Sequence, residues 1–416
     1  MPRTTVTAPS WTEKYSDRAR GIKGSAIREL LQYLGTPGMI SFAGGLPAPS
    51  TFPVPEISKA INGILDNSGR VITALQYGPT EGYRPLREYL AQKMSKYGVP
   101  ATADNVIITS GSQQALDLIG KVFVDKKTRI LTERPTYLGA LQAWDAYEGK
   151  YCTVPIDSEG LQVDELPAVI EKYHPKFIYI IPNFHNPGGV CMSAKRRQKL
   201  VEVARKYDLF IVEDDPYGDL RYEGEHIVPV VSLAPERTFY LCTFSKTLAP
   251  GLRIGWVVAP EEAIRKLVQA KQGTDLFTSM ELQMAVYDIC ASGILPGHVK
   301  TSAALYEARR DAMLEELIKE MPNGIDWTEP KGGLFLWLTV PDKVNVADLF
   351  KAAIAENVAF VMGSPFYPNE TTLNGRKIVR PEALHTMRLN FSAENPETIK
   401  EGVKRLARAM KNELAK

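Results

Sequence analysis

The sequence predicts an α/β protein with a mainly parallel central sheet in a large domain, followed by a smaller α+β domain. Short β-branched runs alternate with helical patterns from about residue 105 onward. These runs are apolar without interruption, as expected for parallel strands that are covered on both faces. The chain of 416 residues is also longer than one domain usually is, and its pattern changes after residue 321.

The first part of the chain predicts a helix, an extended segment and then six strands. Residues 24–35 favour a short helix that Ser25 caps and Gly35 ends, and residues 39–56 are rich in proline and glycine. The six strand-like segments, each followed by a turn, are residues 105–109, 129–133, 177–181, 209–213, 238–242 and 253–258.

The last part of the chain predicts a second layer of strands and helices. Helical patterns between about residues 282 and 321 precede strands at 331–340, 357–363 and 386–392. A final helix begins at Asn395-Pro396, and its apolar side carries Ile399, Val403, Leu406 and Met410. We therefore expect an N-terminal segment 1–60 that packs with the small domain as a lid, a large domain 61–300 and a small domain 301–416.

Composition excludes several classes of partner. Lysine and arginine number 50 against 48 acidic residues, a net charge of +2, which gives no reason to expect nucleic acid or anionic membrane as a partner. No apolar run reaches the roughly 18 residues of a spanning helix. The four cysteines form no C-x-x-C pair and the five histidines lack ligand spacing, so we expect no metal. These features predict a reduced, cytoplasmic protein that acts on a small molecule.

Polar side chains follow the predicted strands, at the edge where open α/β sheets bind ligands. The positions concerned are Ser112, Gln113, Tyr137, Asn186, Asp214, Tyr217, Thr243, Ser245, Lys246 and Arg253. Most of them allow two interpretations. Ser112 lies in a turn that fits an anion cradle or an ordinary helix cap. The carboxylate of Asp214 is expected to pair with a ring N–H⁺, with an arginine elsewhere or with solvent. Asn186 is either a ligand-binding residue or a turn former.

Lys246 carries the strongest signal, because it lies in a tight turn between two apolar runs. Lysine is seldom buried, and Arg253 follows seven residues later. A second cation and partial desolvation lower the pKa of an amine and make it a nucleophile toward carbonyl carbon. Together with an anion cradle and a lone carboxylate, this amine indicates pyridoxal phosphate as the ligand.

At these residues the chain resembles the fold-type-I, class-I pyridoxal-phosphate aminotransferases, in particular the α-aminoadipate and kynurenine aminotransferase branch. The motifs that carry the resemblance run in order through nearly the whole chain: GSAIREL, ISFAGGLP, QYGPTEGYRPLRE, SGSQQALD, NPGG, EDDPY, SKTLAPGLRIGW, GGLFLW and MRLNFS. It implies the fold-type-I transferase architecture, a homodimer with active sites at the subunit boundary, and pyridoxal 5′-phosphate as cofactor.

The resemblance also implies roles for single residues. Lys246 would form the Schiff base with the cofactor aldehyde and then move the proton at substrate Cα. Asp214 would pair with the pyridine nitrogen, Tyr217 and Asn186 would contact the phenolic oxygen, and Tyr137 would stack on the ring. The phosphate would be held by Ser112, Gln113, Thr243, Ser245 and Arg253.

Substrate recognition is implied at Arg388, Asn186, Gly45, Tyr77 and Arg28. Arg388 would bind the α-carboxylate at two points, although from its alternating strand alone it predicts a surface charge. Tyr77 would reach the phosphate or substrate from the neighbouring subunit. Arg28, off the apolar face of its helix, would meet a distal carboxylate or else remain a solvated charge.

We therefore expect an aminotransferase that moves an amino group from an L-amino acid to a 2-oxo acid, with 2-oxoglutarate as the expected acceptor, by a ping-pong cycle. The donors expected are 2-aminoadipate, aromatic amino acids including kynurenine, and branched aliphatic ones. A pyridoxal-phosphate lyase or synthase on the same scaffold is the alternative, since lysine chemistry alone does not choose between transfer and elimination. A ligand-sensing domain of a transcription regulator is the alternative from another class.

Overall fold

The structure is a computed structural model that describes residues 10–22, 24 and 37–416. Most of the helix predicted over residues 24–35, with Ser25, Gly35 and Arg28, lies outside the described residues. The helices are α1 Trp11–Lys14, α2 Asp17–Gly21, α3 Val54–Leu65, α4 Ser68–Leu75, α5 Arg84–Ser95, α6 Ser112–Phe123, α7 Leu138–Asp145, α8 Leu166–Tyr173, α9 Ala194–Lys206, α10 Val230–Leu233, α11 Glu261–Gln272, α12 Met280–Ala291, α13 Leu295–Glu320, α14 Val346–Ala355 and α15 Pro396–Leu414.

The strands form one large sheet and two small ones. They are β1 Ile40–Ser41, β2 Val106–Thr109, β3 Arg129–Arg134, β4 Lys150–Asp157, β5 Gly160–Leu161, β6 Phe177–Ile180, β7 Phe210–Asp214, β8 Thr238–Thr243, β9 Gly255–Val258, β10 Asp326–Trp327, β11 Phe335–Thr339, β12 Val358–Ala359, β13 Val361–Met362 and β14 Thr386–Asn390. A strand lies in each of the six segments predicted for the large domain. Strands β4 and β5 were not predicted.

The large sheet has the order β2-β9-β8-β7-β6-β3-β4-β5 and is mainly parallel, as predicted. Strand β9 is the main exception, because it runs antiparallel to both β2 and β8. The link between β8 and β9 contains only the short 3₁₀ turn Pro250–Leu252. A parallel crossover needs a dozen or more residues, usually with a helix, so this short link returns the chain in the opposite direction.

Helices cover the large sheet on both faces. Successive residues of β9 show this, since Trp256 packs into a cluster with Leu90 and Met284 while Val257 packs into another with Trp144. Such alternation is the expected period of a strand. The sheet is therefore buried on both sides, and ligands reach it at its carboxyl edge.

A second, antiparallel sheet of order β10-β11-β14-β13 shares one hydrophobic core with α13, α14 and α15. Helix α15 begins after Asn395, whose side chain accepts a hydrogen bond from the Thr398 amide, and its predicted apolar residues are buried. Strand β1 pairs in parallel with β12, so residues 40–41 are attached to this part of the fold. Helix α13 runs across the domain boundary predicted at residue 300, and the domain limits stay a prediction.

The two sheets meet at one edge. The carboxyl ends of β6, β7 and β8 face β14 of the small sheet, and the polar residues predicted to act together lie between them. None of the helices in the described part of the chain is both long and apolar enough to cross a membrane.

Candidate active site

A cavity of about 300 Å³ lies between the carboxyl edge of the large sheet and the small sheet. Twelve of the fourteen predicted site residues line it: Gly45, Ser112, Gln113, Tyr137, Asn186, Asp214, Tyr217, Thr243, Ser245, Lys246, Arg253 and Arg388. A larger groove of about 970 Å³ opens elsewhere between the two sheets. Its lining contains none of the predicted residues, so the smaller cavity is the candidate active site.

Lys246 lies in the turn after β8, where it is partly buried. Its Nζ donates a hydrogen bond to the Gly45 carbonyl oxygen at 2.7 Å. Burial lowers the pKa of this amine to about 8, and the positive charges of Arg388 and Arg253 act in the same direction. A fraction of the amine is therefore neutral near physiological pH, which is the form that attacks carbonyl carbon.

Asp214 ends β7 and is only 2% exposed. Its Oδ2 accepts a hydrogen bond from the Tyr179 hydroxyl at 2.9 Å, whereas Oδ1 has no partner among the residues that the structure describes. Burial raises the pKa of this carboxyl to about 7. A buried carboxylate with a free oxygen is suited to a cationic N–H donor in the cavity.

The turn between β2 and α6 fits an anion. Gly111 has φ +79°, and a Cβ there would lie 2.4 Å from Arg253 Nη2, so glycine allows the guanidinium to approach. Arg253 Nη2 donates to the Ser110 carbonyl at 2.8 Å. Ser112 begins α6, and its buried hydroxyl has no partner within the described chain. A helix N-terminus, a free hydroxyl and a guanidinium together form an anion cradle.

Three further predicted phosphate residues surround this turn. Thr243 Oγ1 lies 2.9 Å from Ser245 Oγ and accepts from the Ser245 amide at 3.1 Å. Gln113 lines the cavity, but its side-chain amide donates to the Gly139 carbonyl at 2.8 Å. Gln113 is therefore already engaged with α7, unlike Ser112.

Arg388 is a buried residue of β14, with 1% exposure, and not the surface charge that its strand alone predicted. Its neighbours Met387 and Leu389 enter the core of the small domain, so Arg388 points to the other face, into the cavity. The guanidinium lies 4.1 Å from the ring centre of Phe335. It donates to the carbonyl oxygens of residues 43 and 44 at 3.1 Å each, and burial lowers its pKa to about 10.

Asn186 connects Arg388 to Tyr217, one of the two cavity tyrosines. Its Oδ1 accepts from Arg388 Nη1 at 2.9 Å, and its side chain is hydrogen-bonded to Tyr217. Burial raises the pKa of both Tyr217 and Tyr137, so each keeps its phenolic proton over the physiological range.

Several residues that support the site were missed by the sequence prediction. Tyr179, on β6, holds Asp214, and Phe335 covers Arg388. The buried Glu133 accepts from the Ile181 amide at 2.7 Å and lies 3.2 Å from His185 Nε2, while His185 Nδ1 accepts from the Gly188 amide. The only sequence signal for Tyr179 was a phenolic hydroxyl within an otherwise apolar strand.

Tyr77 is not among the residues that line the cavity. Tyr77 is 77% exposed and packs edge-on against Phe277, with ring centres 5.8 Å apart. Its predicted place in a neighbouring subunit's site stays a prediction. Arg28 lies outside the described residues.

Comparison with known proteins identifies the family. The sequence model of the family "Aminotransferase class I and II" matches residues 39–406. The chain belongs to this family. An aromatic-amino-acid aminotransferase 1 of Thermococcus litoralis is 45% identical over 412 residues, which are 97% of this chain and 96% of that protein. The match shows the aminotransferase activity that the sequence predicted, and it does not favour the alternative of a lyase or synthase.

Two solved aminotransferases have the same fold. The α-aminoadipate aminotransferase of Thermus thermophilus, complexed with N-(5′-phosphopyridoxyl)-L-leucine, has a TM-score of 0.88 and 41% identity, and the match covers 98% of this chain and 100% of that one. The kynurenine aminotransferase of Pyrococcus horikoshii has a TM-score of 0.89 and 42% identity, with 97% and 98% covered. The fold-type-I transferase architecture is thereby confirmed.

This family of aminotransferases depends on pyridoxal 5′-phosphate, and the cavity fits that group. Asp214 Oδ1 and Ser112 Oγ are buried without partners in the described residues, one where a ring N–H⁺ and the other where a phosphate can be bound. Lys246, which lines the same cavity, supplies an amine of lowered pKa. When bound, the cofactor supplies an aldehyde carbon and a ring that takes up electrons.

Proposed function

We propose that this aminotransferase moves the amino group of aromatic amino acids including kynurenine, 2-aminoadipate or branched aliphatic amino acids to 2-oxoglutarate. The observation that carries the proposal is the pairing of a nucleophilic amine, Lys246, with a buried guanidinium, Arg388, across one cavity. The names of the relatives support aromatic amino acids, kynurenine and 2-aminoadipate as donors, and the leucine adduct bound to the Thermus thermophilus enzyme supports a branched aliphatic donor.

Each residue of the site has a role in this proposal. Arg388 binds the substrate α-carboxylate through two parallel N–H groups, which orients Cα toward Lys246. Lys246 would take the proton from substrate Cα and pass it to the aldehyde-derived carbon of the cofactor, and it would move a proton in the opposite direction in the second half of the cycle. Asp214 keeps the ring nitrogen protonated, while Tyr217 and Asn186 donate to the phenolic oxygen and Tyr137 lies on the ring. Ser112, Thr243, Ser245 and Arg253 hold the phosphate, with Gln113 beside them.

The walls of the cavity favour donors with apolar side chains. Leu46, Ile181 and Phe335 line it beside Gly45, and Leu46 is 57% exposed. Apolar walls bind aromatic and branched side chains, whereas an acidic side chain needs a cation. In this proposal Arg28 supplies that cation from the N-terminal segment, which acts as a lid over the substrate.

A donor panel in single turnover tests the proposed specificity. We expect phenylalanine, kynurenine, leucine and 2-aminoadipate each to convert the lysine-bound cofactor to pyridoxamine phosphate when no oxo acid is present. Arg28→Ala should weaken kcat/KM for 2-aminoadipate by about 10- to 100-fold, since a carboxylate would lose its charged partner, and change the value for leucine less than twofold. Equal loss for both donors would refute the role of Arg28.

We also propose a homodimer in which Tyr77 completes the partner's site. Tyr77 follows α4, whose Ile72 and Leu75 are 70% and 73% exposed, so a sizeable apolar surface lies open beside it. Exposed apolar patches of this kind mark interaction surfaces. We further propose domain limits at residues 60 and 300. We also propose a cytoplasmic location, which the four free cysteines support because thiols stay reduced there.

A heterodimer of two inactive variants tests the shared site. A subunit with Lys246→Ala and one with Tyr77→Ala together contain one site with both native residues and one with neither. We therefore expect the purified heterodimer, selected with two different tags, to recover about half of the parent kcat per dimer. Each variant homodimer serves as the control. No recovery would show that Tyr77 does not act across the interface.

A further inference from the structure

Lys271 is a buried lysine for which the catalytic site has no use. It lies in the last turn of α11 and its side chain is 0% exposed. Lysine is almost never fully buried unless it is paired. Its Nζ donates to both oxygens of Asp275, at 2.7 and 2.8 Å, and to Gln114 Oε1 at 3.1 Å.

Gln114 connects the Lys271–Asp275 pair to the turn that forms the anion cradle. The same Oε1 accepts from the Ser110 amide at 2.8 Å, and Nε2 donates to Asp275 Oδ2 at 2.6 Å. The Ser110 hydroxyl lies 3.5 Å from Asp275 Oδ2, and the Ser110 carbonyl accepts from Arg253. Ser110 is therefore held at its amide, its hydroxyl and its carbonyl.

The turn from Ser110 to Ser112 has to keep one conformation if it is to bind an anion tightly. It contains Gly111 at φ +79° and leads directly to Ser112, whose hydroxyl and helix N-terminus face the cavity. Glycine has many backbone conformations, so a glycine turn loses much entropy when it closes on an anion unless its neighbours already hold it. A preorganised cradle binds more tightly.

We propose that Lys271 and Asp275 are positioning residues that hold the turn from Ser110 to Ser112 in its phosphate-binding shape through Gln114. Asp275 balances the charge of Lys271, so the pair acts through geometry rather than through direct attraction of the phosphate. The proposal rests on the assignment of Ser112 and Arg253 to the phosphate in the function proposed above.

Cofactor affinity of Lys271→Met tests the proposal. Methionine keeps the length of the chain but removes the donors. Arg265→Met is the matched control, because Arg265 forms an exposed i,i+4 pair with Glu261 on the same helix, at 2.8 Å. We expect Kd for pyridoxal phosphate, titrated into cofactor-free protein, to rise about tenfold in Lys271→Met and to stay within twofold in the control.

Inorganic phosphate and steady-state kinetics give independent readouts. Phosphate should also bind more weakly to cofactor-free Lys271→Met, whereas kcat at saturating cofactor and KM for the donor should stay within twofold of the parent. A fold-wide defect would change all of these values. Lower thermal stability with unchanged affinity for both anions would overturn the proposal.

A second variant tests the connection without touching the buried charge. Gln114→Met leaves the Lys271–Asp275 pair intact and should also raise Kd for the cofactor, so the proposal stays open to refutation if Lys271→Met fails to fold. Unchanged affinity in Gln114→Met would overturn it. Ser112→Ala and Arg253→Ala distinguish failure of the positioning role from failure of the phosphate assignment. If these two variants bind the cofactor more weakly and Gln114→Met does not, only the positioning role is refuted. If these two variants bind the cofactor as tightly as the parent, the phosphate assignment is refuted.

Discussion

Lys246→Ala is expected to lower kcat for amino transfer by about 10⁴-fold or more, because in the proposed mechanism this one side chain both binds the cofactor covalently and moves the proton at Cα. The visible absorbance of the lysine-bound cofactor should disappear together with the activity. Single-turnover kinetics with cofactor in excess measure the loss, and spectra of the purified protein measure the missing covalent bond.

Lys246→Arg is the matched control, because it keeps a positive charge close to Gly45 but has no nucleophilic amine. It should be as inactive as the alanine variant. If Lys246→Arg kept a tenth of the parent activity, the charge at this position and not the amine would carry the function. If the alanine variant kept the visible absorbance, another amine would hold the cofactor.

The strand ends were predictable because they depend only on local pattern. Apolar runs locate the strands, parallel strands end at one edge, and the residues that follow them must meet there; Asp214 and Lys246 were found in this way. Strand β9 runs antiparallel because the segment that joins it to β8 contains only a short 3₁₀ turn and no crossover helix. The sequence prediction did not take this segment into account. The family resemblance was needed for Arg388, whose strand alone predicted exposure.

Other parts of the site depend on contacts between distant segments, which no local pattern contains. Tyr179 is one position in a strand, and only the pairing of β6 with β7 brings its hydroxyl to Asp214. Lys271 is 157 residues from Gln114 along the chain. A helix pattern predicts that a lysine in a last turn is solvated, and burial of this one follows from packing of α11 on α6.

Asp214→Asn is expected to separate activity from stability, with activity falling by about 10²–10³-fold. Asparagine keeps the shape and still accepts from Tyr179, but it cannot keep a ring nitrogen protonated. The cofactor-free variant should nevertheless be more stable than the parent at pH 8. The parent has to ionise a buried carboxyl there, and the difference between its ordinary pKa of 3.8 and about 7 corresponds to about 4 kcal/mol at most.

The sign of this effect follows from proton linkage. The folded state holds the Asp214 proton up to about pH 7, whereas the unfolded chain releases it near pH 4, so the parent loses stability between these values as pH rises. The variant lacks this loss. Urea unfolding of both cofactor-free proteins at pH 4.5 and pH 8 should therefore show a small difference in unfolding free energy at the lower pH and a larger one, in favour of asparagine, at the higher pH.

Cofactor should reverse the order, because only the parent carboxylate can pair with a ring N–H⁺. Pyridoxal phosphate should raise the melting temperature of the parent more than that of Asp214→Asn at pH 8. Tyr179→Phe is the matched control: it removes a hydrogen bond that stabilises the ionised carboxyl but keeps the carboxyl itself. It should destabilise the cofactor-free protein further at pH 8 and leave most of the activity. A cofactor-free Asp214→Asn that is less stable than the parent at pH 8 would show that the buried carboxylate is stabilised by the protein alone, without the cofactor.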